Sequence, residues 1–158
     1  GGKVVQKRVN NLKELIGKYD IVINCMGVEA NKFGDDKGVY PIRGQVYRVN
    51  APWIKHGVMA GDHYILLNSE TVVLGGTKQK GDWNRDVYVK DSEDIMDGCA
   101  QLVPSVRTAP IMSEWVGLRP GRDSVRLETE VISNWGKKLH VVHNYGHGGS
   151  GVTLSLNN

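Results

Sequence analysis

Cysteine is scarce in this chain. Among 158 residues there are two, Cys25 and Cys99. Two cysteines build no disulfide scaffold, and a reducing compartment suits them best. Long apolar runs are also missing. The longest aliphatic stretches, Ile21-Val22-Ile23 and Ile65-Leu66-Leu67, fall far short of the ~20 residues that cross a bilayer as a helix. No basic-then-apolar signal segment opens the chain. An excess of one charge is absent too. Lys+Arg total 20 and Asp+Glu 17, a formal net charge of +3. That excess is too small and too scattered for a nucleic-acid protein. Disorder is excluded by an apolar fraction of 40% and a charged fraction of 23%. The length suits one domain or a large piece of a two-domain protein. Gly1 is not an initiator Met and Ser155-Leu156-Asn157-Asn158 completes no recognisable element, so a fragment or processed form is expected.

Glycine is plentiful, with 20 residues, many in short clusters. Such clusters mark tight turns or close approach of the backbone to something else. The pattern predicts a strand over Lys3 to Val9. A short helix should follow, capped by Asn10 or Asn11, with Leu12, Leu15 and Ile16 on one face and Gly17 at its end. Tyr19 to Cys25 reads as a buried strand, giving a strand-helix-strand edge of an α/β layer. Its exit turn, Met26-Gly27-Val28, lies where ligands meet parallel sheets, although Gly27 would also serve a plain turn. After the polar loop Phe33–Gly38, short strands are expected at Gln45–Asn50, His63–Leu67, Thr71–Leu74, Met112–Val116, Val125–Thr129 and Leu139–His143. Asn68-Ser69 suits a hairpin turn. Ser92 is placed to cap a helix over Glu93–Leu102.

Three segments have chemical potential. In the first, His143-Asn144-Tyr145-Gly146-His147-Gly148-Gly149-Ser150-Gly151-Val152-Thr153, four glycines fall within six residues, after a strand and before an apolar stretch that would open a helix. Bare amides at a helix start favour an anion or a polarised ring oxygen; a ligand-free glycine turn is the plain alternative. The segment is not the Gly-x-Gly-x-x-Gly fingerprint. Zinc binding by His140, His143 and His147 is disfavoured, because Asn144 and Gly146 break the helix that would align them. Ser150 is no nucleophile elbow, since Val152 stands where glycine is required. Cys25 and Cys99 read as packed, inert thiols. The second segment is Trp115-Val116-Gly117-Leu118-Arg119-Pro120-Gly121-Arg122. A guanidinium fixed at a strand end, as at Arg119, suits a carboxylate; a surface arginine is the plain alternative. The third is Thr71 to Asn84, in which Gly75-Gly76 is followed by Lys78 and Lys80. Two nearby cations suit an acidic ligand, although such lysines are more often simply solvated.

These segments coincide in one family. The matches are Asp20-Ile21-Val22-Ile23-Asn24-Cys25-x-Gly27, Arg43-Gly44-Gln45-Val46, Ala51-Pro52-Trp53, Leu74-Gly75-Gly76-Thr77-x-Gln79-Lys80-Gly81-Asp82-Trp83-Asn84, Gly117-Leu118-Arg119-Pro120-x-Arg122 and His143-Asn144-Tyr145-Gly146-His147-Gly148. In this order the chain resembles the C-terminal half of the FAD-dependent D-amino-acid oxidases, D-aspartate oxidase branch. The set is specific, though each member alone is weak. The resemblance implies an α/β (α+β) fold with a partial FAD-binding Rossmann-like lobe and a twisted mixed or antiparallel substrate lobe. Residues 1–36 and 118–158 are then assigned to the FAD lobe and 37–117 to the substrate lobe. The family's glycine fingerprint is not in this sequence, and Leu156-Asn157-Asn158 stands where the family continues with Trp-Gly and a long helix.

By the same resemblance, Arg119 and Tyr64 bind the substrate α-carboxylate and the Gly149 carbonyl meets its amino group. Cys25, Met26, Gly27, Gly148, Gly149, Gly151, Val152 and Thr153 lie against FAD. The implied reaction converts a D-amino acid and oxygen to a 2-oxo acid, ammonia and hydrogen peroxide, with the flavin carrying the redox chemistry. Lys78 stands where acidic-substrate members have Arg and neutral-substrate members an apolar residue. Ala60 replaces a second tyrosine of the neutral branch. Both favour D-aspartate or D-glutamate. A silent fragment of such an oxidase, an oxidase of neutral D-amino acids and a glycine or sarcosine oxidase are the alternatives. The resemblance also implies a peroxisomal or cytoplasmic setting and allows a homodimer, with no nucleic-acid or membrane partner.

Overall fold

The computed structural model describes residues 1–155. The fold is mixed α/β, in two compact units: Gly1–Tyr40 with Pro120–Asn158, and Pro41–Arg119.

In the first unit, Asn11 begins a short 3-10 helix, Leu12–Leu15, its side-chain oxygen accepting the Lys13 N–H at 2.8 Å. Strand β1 is Ile21–Asn24. It pairs in parallel with β8, Lys137–His147, in a register running from Ile21↔His140 to Asn24↔His143. β7, Ile111–Asn134, contributes its residues from Pro120 onward and pairs antiparallel with β8. The β7–β8 turn is Trp135-Gly136, with φ of 50° and 74°. Two consecutive positive φ values give a primed turn whose twist matches the flanking strands. Leu15, Leu139 and Val141 form a small core with Val22 and Ile132 packed against it.

Three expectations fail here. Lys3–Val9 forms no strand; it is almost wholly exposed and pairs with nothing regular. The partner of β1 is instead the distant β8, so no strand-helix-strand edge is made by residues 3–25. Nor is β1 buried on both faces: Ile21 and Ile23 are 63% and 67% exposed, while Asn24 is buried. Alternation along a strand places Val22 and Asn24 on the covered face.

The second unit is antiparallel. β2 (Tyr40–Val49), β5 (Val72–Gly75), β4 (His63–Leu67) and β3 (Val58–Ala60) lie in that order, with β6 (Gln79–Lys80) against β2. The β4–β5 turn closes with the Asn68 N–H donating to the Thr71 carbonyl at 2.8 Å, at the expected Asn68-Ser69. The first unit holds the short helix α1, Ala30–Phe33; in the second, helix α2, Val89–Leu102, covers the sheet. Its Ile95, Cys99 and Ala100 meet Ile65, Val72, Leu74 and Val49. Burying one such aliphatic side chain contributes roughly 1.5–3 kcal/mol. Ser92 does not cap α2, which begins one turn earlier after Tyr88. Ser92 is buried, and its hydroxyl accepts from Gln45 Nε2 at 2.7 Å. That contact, invisible in the local sequence, overrides the capping preference. Met112–Val116 and Val125–Thr129, expected as separate strands, are parts of the single β7.

Candidate functional site

In the second unit, Arg119 and Tyr64 approach one stretch of backbone, Gly75 to Thr77, which Lys78 directly follows. Arg119 is half-buried, and its Nη1 donates to the Thr77 carbonyl at 3.1 Å. Its guanidinium lies over Gly44, where a Cβ would collide with it. No carboxylate pairs with Arg119 among the described residues. The bond to Thr77 uses one of its five N–H donors, and no other hydrogen bond of Arg119 is made among the described residues. Tyr64 lies opposite Gly75 in the β4–β5 register, and its ring covers Gly75 and Gly76, where any Cβ would strike it. The Tyr64 hydroxyl has no hydrogen-bond partner among the described residues. Lys78 pairs with Asp62 at 3.6 Å, both largely exposed. Asp62 and Gly61 form the two-residue turn between β3 and β4.

This stretch is braced by a residue whose role the sequence did not disclose. Arg43, fully buried on β2, uses all five donors. Its Nε donates to the Asn84 carbonyl at 3.1 Å, and Nη1 to Gln79 Oε1 at 2.6 Å and Asp91 Oδ2 at 2.7 Å. Nη2 donates to Gln45 Oε1 at 2.8 Å and the Asp86 carbonyl at 2.6 Å. Gln45 in turn donates its backbone N–H to Thr77 Oγ1 at 2.9 Å. A buried charge survives only when so fully paired. The Arg-Gly-Gln motif was visible; its long-range partners were not.

In the first unit, the turns after β1 and β8 meet at Pro120. Met26 N–H donates to Asn24 Oδ1 at 3.1 Å, and Gly27 follows with φ of 60°. A Cβ on Gly27 would lie 3.8 Å from Pro120 Cγ. Gly148, φ 59°, donates its N–H to the Pro120 carbonyl at 2.8 Å. Gly149 makes no backbone hydrogen bond among the described residues. Gly151, Val152 and Thr153 open α3, Gly151–Ser155. This helix start follows the Gly148-Gly149 turn, as the glycine pattern led one to expect. Leu156-Asn157-Asn158 lies outside the described residues. Cys25 is exposed rather than packed, whereas Cys99 is buried as expected. Burial pushes the Cys99 thiol up, against hydrogen bonds to the carbonyls of Gly75 and Tyr64.

A polar network runs behind these turns. Asp36 Oδ2 accepts from Tyr145 Oη at 2.9 Å and Arg122 Nε at 3.1 Å. Arg126 Nη1 donates to Tyr145 Oη at 2.7 Å, its Nε to Glu128 at 2.6 Å and its Nη2 to Glu130 at 3.3 Å. Burial pushes the Asp36 carboxyl up, but the bonds from Tyr145, the Gly38 N–H and Arg122 outweigh it and hold the group below the usual range. Burial raises the Tyr145 phenol despite Arg126.

Among the described residues no helix is long and apolar enough to cross a membrane. Residues 1–157 match the family described as FAD dependent oxidoreductase (DAO). A D-amino acid oxidase of Dugesia ryukyuensis is 45% identical over 98% of this chain and 48% of its own length. A D-aspartate oxidase of Homo sapiens is 42% identical over 98% of this chain and 46% of its own length. The chain thus spans about half the length of the curated relatives it matches. The crystal structure of glycine oxidase from Geobacillus kaustophilus superposes with a TM-score of 0.71 at 27% identity, covering 85% of this chain and 38% of that one. On the family match and these identities, the chain belongs to the DAO family of FAD-dependent oxidoreductases.

Proposed function

We propose that the protein containing this chain oxidises an acidic D-amino acid, D-aspartate or D-glutamate, to its 2-oxo acid, releasing ammonia and hydrogen peroxide. The observation that carries the reading is the pair of unengaged groups at Gly75–Thr77: an arginine without a carboxylate and a tyrosine hydroxyl without a partner. A carboxylate accepting from both would be held at two points, and charge-assisted bonds of this kind are the strong ones. Fixing the substrate in this way aligns its Cα for reaction.

FAD supplies the redox chemistry when bound. The residues present fit part of that group. The two turns, at Cys25-Met26-Gly27 and Gly148-Gly149, place glycine backbone without side chains beside Pro120. Gly151, Val152 and Thr153 extend this surface, and Val152 is 82% exposed. The Gly149 carbonyl, unengaged among the described residues, accepts from the substrate amino group. The substrate unit is then Pro41–Arg119 and the remainder belongs to the FAD unit.

The acidic preference rests on Lys78. Its pair with Asp62 is exposed and therefore weak, so a substrate side-chain carboxylate can take the place of Asp62. Lysine offers a point charge rather than a fork, which favours a looser second contact than arginine would give. The reading carries with it a peroxisomal or cytoplasmic setting and allows a homodimer.

The test is a visible absorbance scan of the full-length protein with FAD, followed by a peroxide assay on a panel of D-amino acids and glycine. A flavin band with peroxide from D-aspartate or D-glutamate is expected. Peroxide from D-alanine or glycine alone overturns the acidic assignment, and no flavin band overturns the function.

A further inference from the structure

The turn after β1 is held from behind by three side chains that touch neither proposed ligand. Asn24 ends β1, and His143 lies directly opposite it on β8; both are buried. In parallel register their side chains share one face of the sheet. Asn24 Oδ1 accepts the Met26 N–H at 3.1 Å, which fixes which end of the amide is oxygen. The other end, Nδ2, is a donor and faces His143 Nδ1 at 3.0 Å. Nδ1 must therefore accept, so the ring carries its proton on Nε2. Nε2 lies 3.0 Å from Glu130 Oε2, on β7, which takes that proton in a hydrogen bond. The same oxygen also accepts from Arg126 Nη2 at 3.3 Å, which keeps the carboxylate an acceptor. These contacts are all made together in one arrangement only. In the opposite tautomer, or with the ring doubly protonated, Nδ1–H would face the Asn24 amide donors. Asn24 would then have to turn its oxygen toward the ring and leave the Met26 N–H unpaired.

We propose that His143, set by Glu130 and acting through Asn24, is a positioning residue for the Cys25-Met26-Gly27 turn, and through that turn for FAD. The link to FAD rests on the function proposed above; the relay to Met26 does not. Asn24 has no other role in this line than to translate the ring's tautomer into a backbone contact.

The experiment uses the full-length protein carrying this segment. Hydrogen-exchange mass spectrometry follows the peptide containing Met26, and flavin fluorescence during titration gives FAD affinity. His143→Leu and Asn24→Leu are each expected to speed exchange at Met26 and weaken FAD binding, both by about tenfold, the scale of one lost buried hydrogen bond. The double variant should match either single variant, because residues of one relay are coupled rather than additive. At half-exposed Glu130 the fold tolerates change more readily. Glu130→Gln still offers an oxygen to Nε2–H and should behave as wild type. Glu130→Lys offers only donors and should reproduce His143→Leu. Unchanged Met26 exchange in His143→Leu and Glu130→Lys overturns the relay. Faster exchange with unchanged FAD affinity overturns its link to the cofactor. A wild-type protein that takes up no FAD refutes the proposed function, and the exchange measurement still decides the relay.

Discussion

The guanidinium of Arg119 occupies the space that a side chain at Gly44 would need. Arg119 is the mobile end of a long side chain, so Gly44→Ala should displace it while leaving the fold intact. Loss of hydrogen bonds to a charged group then predicts KM for D-amino acids raised roughly 10–100-fold. Arg119→Ala should do the same. Steady-state kinetics on acidic and neutral substrates checks this, and an unchanged KM in both variants rules out the carboxylate clamp.

Lys78 distinguishes substrates rather than binding them all. Lys78→Met should lower kcat/KM for D-aspartate about fivefold, the worth of one exposed charge interaction, and leave D-alanine within about twofold. Equal losses for the two substrates would remove Lys78 from the specificity argument.

The two thiols differ in exposure. Cys25 is exposed, and Cys99 is buried with its thiol pushed up by burial. Because the thiolate is the nucleophile, iodoacetamide at pH 8 should label Cys25 first, and Cys99 only on unfolding. FAD should slow labelling of Cys25 if the Cys25-Met26-Gly27 turn lies against it. Peptide mass spectrometry with and without FAD reads both effects; rapid labelling of Cys25 in the flavin-loaded protein would detach this turn from the cofactor.

Asp36 makes stability depend on acid. Its carboxyl is held below the usual value despite burial, through Tyr145, the Gly38 N–H and Arg122. A group depressed in the folded state contributes stability that is fully present above its unfolded pKa of about 3.9, and that is lost as pH falls through the folded value. Asp36→Asn should therefore cost about 2 kcal/mol at pH 7, and progressively less as pH falls below the unfolded value. Thermal unfolding of both forms across this range tests the sign; a constant difference at all pH values would refute it.

The local elements were largely legible. β4, the Asn68-Ser69 turn, β5 and the body of α2 follow from alternation, turn residues and the spacing of Ile95, Cys99 and Leu102. The 3-10 helix after Asn11 was legible from its cap. Lys3–Val9 shows the limit, because an alternating pattern makes a strand only if another strand receives its hydrogen bonds. β1 shows another, since an apolar run does not state how many of its faces are covered.

The sequence by itself determined the family, through motifs that need only their order and spacing, and it singled out Arg119, Tyr64 and Lys78 as residue types. Tertiary structure decided which backbone Arg119 and Tyr64 share, since Gly75–Thr77, Gly44 and Arg119 are brought together only by strand pairing and close approach over glycine. It also decided the roles of Arg43 and His143. Their partners lie tens of residues away along the chain for Arg43 and across three strands for His143. Hydrogen-bond polarity is a property of pairs in space, and no local pattern encodes it.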